Sequence, residues 1–107
     1  MKEIKNFQEF EKITNQNKPV LLDFYANWCG PCKALLPTVE KLAAKYEDSF
    51  IIQKVNVDTF PELAQKFGVR SIPALFILKE GKIEQSLVGY QSAEALENLI
   101  ATHSVAA

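Results

Sequence analysis

The chain has 107 residues, 48% of them hydrophobic and 23% charged, a globular composition of a length that one core accommodates, so a single domain over 1–107 is expected. Twelve Lys plus Arg against 13 Asp plus Glu leave a formal charge of −1, which offers no electrostatic footprint for nucleic acid or an anionic membrane. No apolar run approaches the roughly 20 residues of a membrane span, and Met1 to Asn6 lack the apolar stretch of a secretory signal, so the expected location is cytoplasmic.

Asn6 followed three residues later by Glu9 has the form of a capping box, and Phe7, Phe10 and Ile13 recur behind it at helical spacing, predicting a first helix over 7–15. The polar cluster 15–19 breaks it. Val20 to Ala26 is then a nearly continuous apolar run, the pattern of a central strand covered on both faces, with Asp23 as its one charged residue. After Cys29 and Cys32, residues Leu35, Leu36, Val39, Leu42, Ala43 and Tyr46 mark a helical face over 32–46. That helix starts at the cysteines, and Pro37 should kink it.

Phe50 to Val57 is a second strand of buried type, and Thr59, Pro61 and Glu62 start a short helix reaching about Phe67. Residues 68–73 close it. Ala74 to Leu78 and Ile83 to Val88 predict two strands joined by a turn over 79–82, hence an antiparallel hairpin. Ser92 caps a last helix with Ala93, Leu96, Leu99 and Ile100 on one face, and the small residues after it should fray. Strands linked by helices, then a hairpin and a closing helix, give an α/β fold: a mixed sheet of four or five strands with about four helices on both faces. In such sheets the functional crevice lies beyond the carboxyl ends of the parallel strands, where Cys29 and Cys32 fall.

The two cysteines could be half of a zinc site, a structural disulfide or a redox dithiol. Structural zinc needs four Cys or His ligands, and the chain has two Cys and the single His103. A disulfide closing so short a loop stabilises by only about 2 kcal/mol on the chain-entropy view, and cytosolic thiol pools would reduce it. A redox pair needs an exposed first sulfur, a depressed thiolate pKa and a nearby resolving thiol. Pro31 suits a first helical turn, so Cys29 falls near the N-cap, where free N–H groups favour a thiolate and make it the nucleophile. Cys32, one turn in on the same side and less exposed, is placed to resolve the mixed disulfide.

Trp28-Cys29-Gly30-Pro31-Cys32-Lys33 after Asp23-Phe24-Tyr25-Ala26, with Ile72-Pro73 and the later Gly81 and Gly89, resembles the thioredoxin family over essentially the whole chain. The resemblance implies a thioredoxin fold and a cytosolic protein-disulfide reductase acting as a monomer on disulfide-containing client proteins. It implies no bound cofactor beyond the redox disulfide, with electrons from NADPH through a separate flavoprotein, thioredoxin reductase. No glycine-rich dinucleotide fingerprint is present in the chain itself. Oxidising relatives carry a His between the cysteines, whereas Pro31 has neither charge nor N–H to hold the thiolate, which favours a reductant.

Asp23 is either a strand-end residue facing solvent or a buried acid. The resemblance implies the second, with a proton exchanged with Cys32 through water when Cys32 attacks. Lys54 resembles the lysine that neighbours this acid in the family, the alternative being an outward-facing strand residue. Pro73 would be an ordinary turn proline but for the resemblance, which implies a cis bond beside the disulfide and an Ile72 backbone free to pair with an extended client. Trp28, Gly30, Pro31, Ile72, Pro73 and Gly89 would then form a flat apolar docking surface. Tyr25, where many relatives carry tryptophan, and Ala74, where threonine often follows the proline, depart from the pattern without touching the catalytic positions. A redox-independent binding subunit and a dedicated electron donor to one enzyme are the competing functions.

Overall fold

A computed structural model describes residues 1–104 of the chain. Among these the elements run β1 (Lys2–Glu3), α1 (Phe7–Thr14), β2 (Val20–Tyr25), α2 (Gly30–Lys45), β3 (Ile51–Asn56), α3 (Pro61–Lys66), β4 (Ala74–Lys79), β5 (Lys82–Val88) and α4 (Ala93–His103). The sheet has the order β1-β3-β2-β4-β5. β1 and β2 both run parallel to β3, while β4 runs antiparallel to β2 and to β5. The mixed α/β sheet is thus as expected, with five strands.

Local signals explain most boundaries. The Asn6 side chain accepts from Glu9 N and starts α1, and Ser92 does the same for α4 through Ala95 N. The β4–β5 turn holds Glu80 at φ 53° and Gly81 at φ 77°, the paired left-handed residues that match a two-residue hairpin to strand twist. α2 continues through Pro37, whose ring nitrogen has no proton to offer the carbonyl one turn back. The expected fraying falls on 105–107, outside the described residues.

Alternation along β2 divides the core. Leu22 and Phe24 face Phe10 and Ile13 of α1 and Leu63 of α3, while Leu21 faces Leu35, Val39 and Leu42 of α2 and Leu96 and Ile100 of α4. Period two puts Asp23 and Tyr25 on the Leu21 face, beneath α2. Every residue of β2 is buried, as its apolar run predicted. β1 was not foreseen: two residues carry no periodicity, and their pairing to β3 depends on Ile4, just beyond them, being buried at the rim of the core.

Candidate active site

Cys29 occupies the N-cap of α2 in extended conformation, and its Sγ accepts from Cys32 N at 3.2 Å. The two cysteines form a disulfide with their Cα atoms 5.2 Å apart, so one helical turn bridges them without displacing the backbone. The start of α2 aims unpaired N–H groups at Cys29, favouring negative charge there in the reduced state. The expectation of an exposed first sulfur needs correction: Cys29 is 5% exposed and Cys32 2%. Both pack with Tyr25 and Ala26 against Val57 and Ile72, whose carbonyl oxygen lies 3.9 Å from Cys29 Sγ.

The Ile72–Pro73 bond is cis. Pro73 O accepts from Gly89 N at 2.8 Å, tying the loop after β5 to the loop before β4, and Gly89 adopts φ 95°, where a side chain is disfavoured. Among the described residues neither the N–H nor the C=O of Ile72 makes a backbone hydrogen bond. Trp28 is 70% exposed, and Gly30 and Pro31 are exposed beside it. Pro73 is buried, and Ile72 and Gly89 are half-buried. The surface around the disulfide is therefore rimmed by Trp28, Gly30 and Pro31 and floored by the Ile72 and Gly89 backbone, with the Pro73 ring covered.

Asp23 is fully buried and neither carboxylate oxygen has a hydrogen-bond partner among the described residues, which removes the solvent-facing alternative. Burial pushes its carboxyl up to about 7, and the charge of Lys54 pulls the other way. Lys54 sits directly opposite Asp23 in the β2–β3 register and is half-buried, not the outward-facing alternative. It does not close an ion pair with Asp23; the ion pair among the described residues is Lys45 with Glu97, far from the disulfide in sequence. Asp23 lies two residues before Tyr25, about 6.6 Å along the same face of the strand, and Tyr25 touches the cysteine cluster. A dithiol with a buried acid of near-neutral pKa beneath it can exchange both protons and disulfides.

Two contacts around this centre escaped the sequence reading. Asp58 Oδ2 accepts from Trp28 Nε1 at 2.9 Å, a pairing across 30 positions that no local pattern reveals. Tyr25 donates its hydroxyl to Glu3, and the signal for it was a polar tip at the end of an otherwise apolar buried strand. Among the described residues no group of three or more His, Cys, Asp or Glu is placed to share a metal ion. His103 Nε2 instead sits 3.0 Å from Gln85 Oε1.

Residues 2–102 match the family model described as Thioredoxin. The chain is 43% identical over 96 residues to a thioredoxin of Bacillus subtilis, covering 90% of this chain and 91% of that one. It is 38% identical over 94 residues to a bifunctional thioredoxin reductase/thioredoxin of Mycobacterium leprae, covering 88% of this chain and 20% of that protein. The structure of a mutant thioredoxin from Halobacterium salinarum superposes with a TM-score of 0.89 at 36% identity, over 98% of this chain and 91% of that chain.

Proposed function

The chain belongs to the thioredoxin family and is a protein-disulfide reductase, and from that premise we propose the roles of its residues and the source of its electrons. In the reduced protein the Cys29 thiolate attacks one sulfur of a client disulfide, forming a Cys29–client bond and releasing the other client sulfur as thiolate, which takes a proton from solvent. Cys32 then gives its proton to Asp23 and attacks Cys29 Sγ. The Cys29–client bond breaks, the second client sulfur leaves as a thiolate and takes a proton from solvent, and the Cys29–Cys32 disulfide is restored. Two electrons have passed from the dithiol to the client.

The observation that carries this assignment is the seat of Cys29 at the N-cap of α2, with Cys32 one turn inside. Lys54, in register with Asp23, holds the acid low enough to accept a proton near neutrality. The unpaired Ile72 backbone takes up an extended client segment as an added strand. Trp28, Gly30, Pro31 and Gly89 border that segment, with Pro73 buried behind it and the exposed indole acting as an anchor.

The oxidised protein is reset by NADPH through a separate thioredoxin reductase, a pairing supported by the fused reductase/thioredoxin relative of Mycobacterium leprae. It acts as a monomeric single domain over 1–107 in the cytoplasm; no helix among the described residues is long and apolar enough to cross a membrane. The test is NADPH-dependent insulin reduction with a flavoprotein thioredoxin reductase. Turnover that requires the chain, the reductase and NADPH together supports the proposal. Insulin reduction driven by dithiothreitol but not by NADPH and reductase would redirect the search to another electron source.

A further inference from the structure

Asp23 stands in a row of charges that runs across three strands. Glu3 of β1 is in register with Lys54 of β3, and Lys54 with Asp23 of β2. All three strands are parallel, so the three side chains leave the sheet on one face. Lys54 is therefore flanked by two carboxylates, one on each side, rather than assigned to one.

The row is bridged from above by Tyr25. β1 and β2 are two strand spacings apart, about 9.6 Å, and the Tyr25 side chain reaches over β3 to donate its hydroxyl to Glu3 Oε1 at 2.5 Å. Its ring lies 5.4 Å from Lys54 Nζ, within reach of a cation–π attraction. Thr59 Oγ1 stands 3.4 Å from the second carboxylate oxygen of Glu3 and 3.3 Å from the Asn56 carbonyl, and its single proton serves one of the two. Glu3 is thus held by the Tyr25 hydroxyl and, among the described residues, forms no ion pair with Lys54, whose charge stays with the Tyr25 ring and the buried acid.

We propose that Glu3 and Tyr25 are positioning residues: the Tyr25 ring holds Lys54 and its hydroxyl keeps the Glu3 carboxylate from it, and together they set how readily Asp23 takes up and releases its proton. The proposal rests on the role given above to Asp23 in the resolving step. Other elements around Asp23 add little competing charge. β4 presents Leu75 opposite it. α2 contributes Cys29 and Cys32 at its start and Leu35 and Val39 beyond, and α4 contributes Leu96 and Ile100. From β3 come Lys54 and the neutral Asn56, and from β1 Glu3. Lys54 is the cation of this surround among the described residues, and Glu3 its second anion.

Two variants should move Asp23 in opposite directions. Glu3→Gln removes the second negative charge beside Lys54, so Asp23 should ionise at lower pH. Tyr25→Phe removes the hydroxyl that occupies Glu3; Glu3 then turns to Lys54, and Asp23 should ionise at higher pH. Each displacement should be about half a pH unit or more, below the 1–3 of a charge in direct contact. The probe is the 13C titration of the Asp23 carboxyl in the oxidised full-length chain, with near-ultraviolet circular dichroism confirming native packing. In a Lys54→Gln background, Glu3→Gln should move the midpoint less than in the parent, because the shared partner is gone.

Midpoints displaced in opposite directions, with the smaller effect in the Lys54→Gln background, establish the linkage. Midpoints that coincide with the parent, or move the same way in both variants, overturn it. The Asp23 reading is judged separately from the rate at which mixed disulfides resolve in Asp23→Asn. A parental rate would remove Asp23 from the reaction while the titration still decides whether Glu3 and Tyr25 govern its charge.

Discussion

Replacing Asp23 by asparagine should reveal the free energy stored in its burial, and the effect has a definite sign with pH. The folded carboxyl titrates at about 7, raised from 3.8, because burial disfavours the anion more than Lys54 favours it. A raised folded pKa contributes stability that is fully present below the unfolded value and is lost as pH rises through the folded one. At about 1.36 kcal/mol per pH unit the loss is on the order of 4 kcal/mol. The residue is fully buried, so solvent screening does not reduce this figure much. The amide introduced by Asp23→Asn adds an unsatisfied polar group, but that cost is the same at every pH. The difference in unfolding free energy between variant and parent should therefore shift in favour of the variant by on the order of 4 kcal/mol between pH 4 and pH 8. Urea unfolding of the oxidised proteins across that range measures it directly, the other titrating groups cancelling between the pair. A difference that does not change with pH would show that the folded carboxyl titrates no higher than the unfolded one, which leaves a base too weak to take the Cys32 proton, and the account of a buried proton acceptor would fail.

Gly89→Ala should lower stability by about 1–2 kcal/mol, because φ 95° is costly for a side chain while an added Cβ meets no atom within 4 Å. Thermal unfolding reads this as a fall of about 4–8 °C per kcal/mol, and an unchanged Tm would mean the loop relaxes freely. Trp28→Ala should leave the folding midpoint close to the parent's, since the residue is 70% exposed. It should raise KM for protein clients several-fold, as loss of an interface anchor does; steady-state insulin reduction separates KM from kcat, and an effect on kcat alone would argue against docking.

Most of the fold was legible because its signals are local. The apolar run over β2, the caps at Asn6 and Ser92 and the Glu80-Gly81 turn each act within a few residues, and each appears where the pattern put it. β1 was not legible, since its two residues acquire meaning only through their register with Gln53 and Lys54. The redox pair was legible because its chemistry is written within one helical turn. What surrounds it was less so: Trp28 with Asp58 and Tyr25 with Glu3 are contacts made by topology across 30 and 22 positions. Asp23 lies between these cases. Its presence in a buried strand announced a cost, and the sheet register then showed that Lys54 stands beside it without quenching its charge. The burial of Cys29 beneath Ile72 is written in no local pattern either, because the covering loop comes from 43 residues further along the chain, and only the family resemblance placed Ile72-Pro73 beside the disulfide.

The division of labour between the cysteines is tested most directly by trapping. Each single variant, Cys32→Ser and Cys29→Ser, is reduced, mixed with a disulfide-containing client and quenched with acid, and the covalent adducts are quantified by non-reducing electrophoresis and mass spectrometry. Cys32→Ser should accumulate client joined through Cys29, because attack proceeds and resolution cannot, while Cys29→Ser should trap essentially none. Equal trapping by the two variants, or trapping through Cys32 alone, would contradict the assignment of Cys29 as nucleophile and Cys32 as resolving thiol.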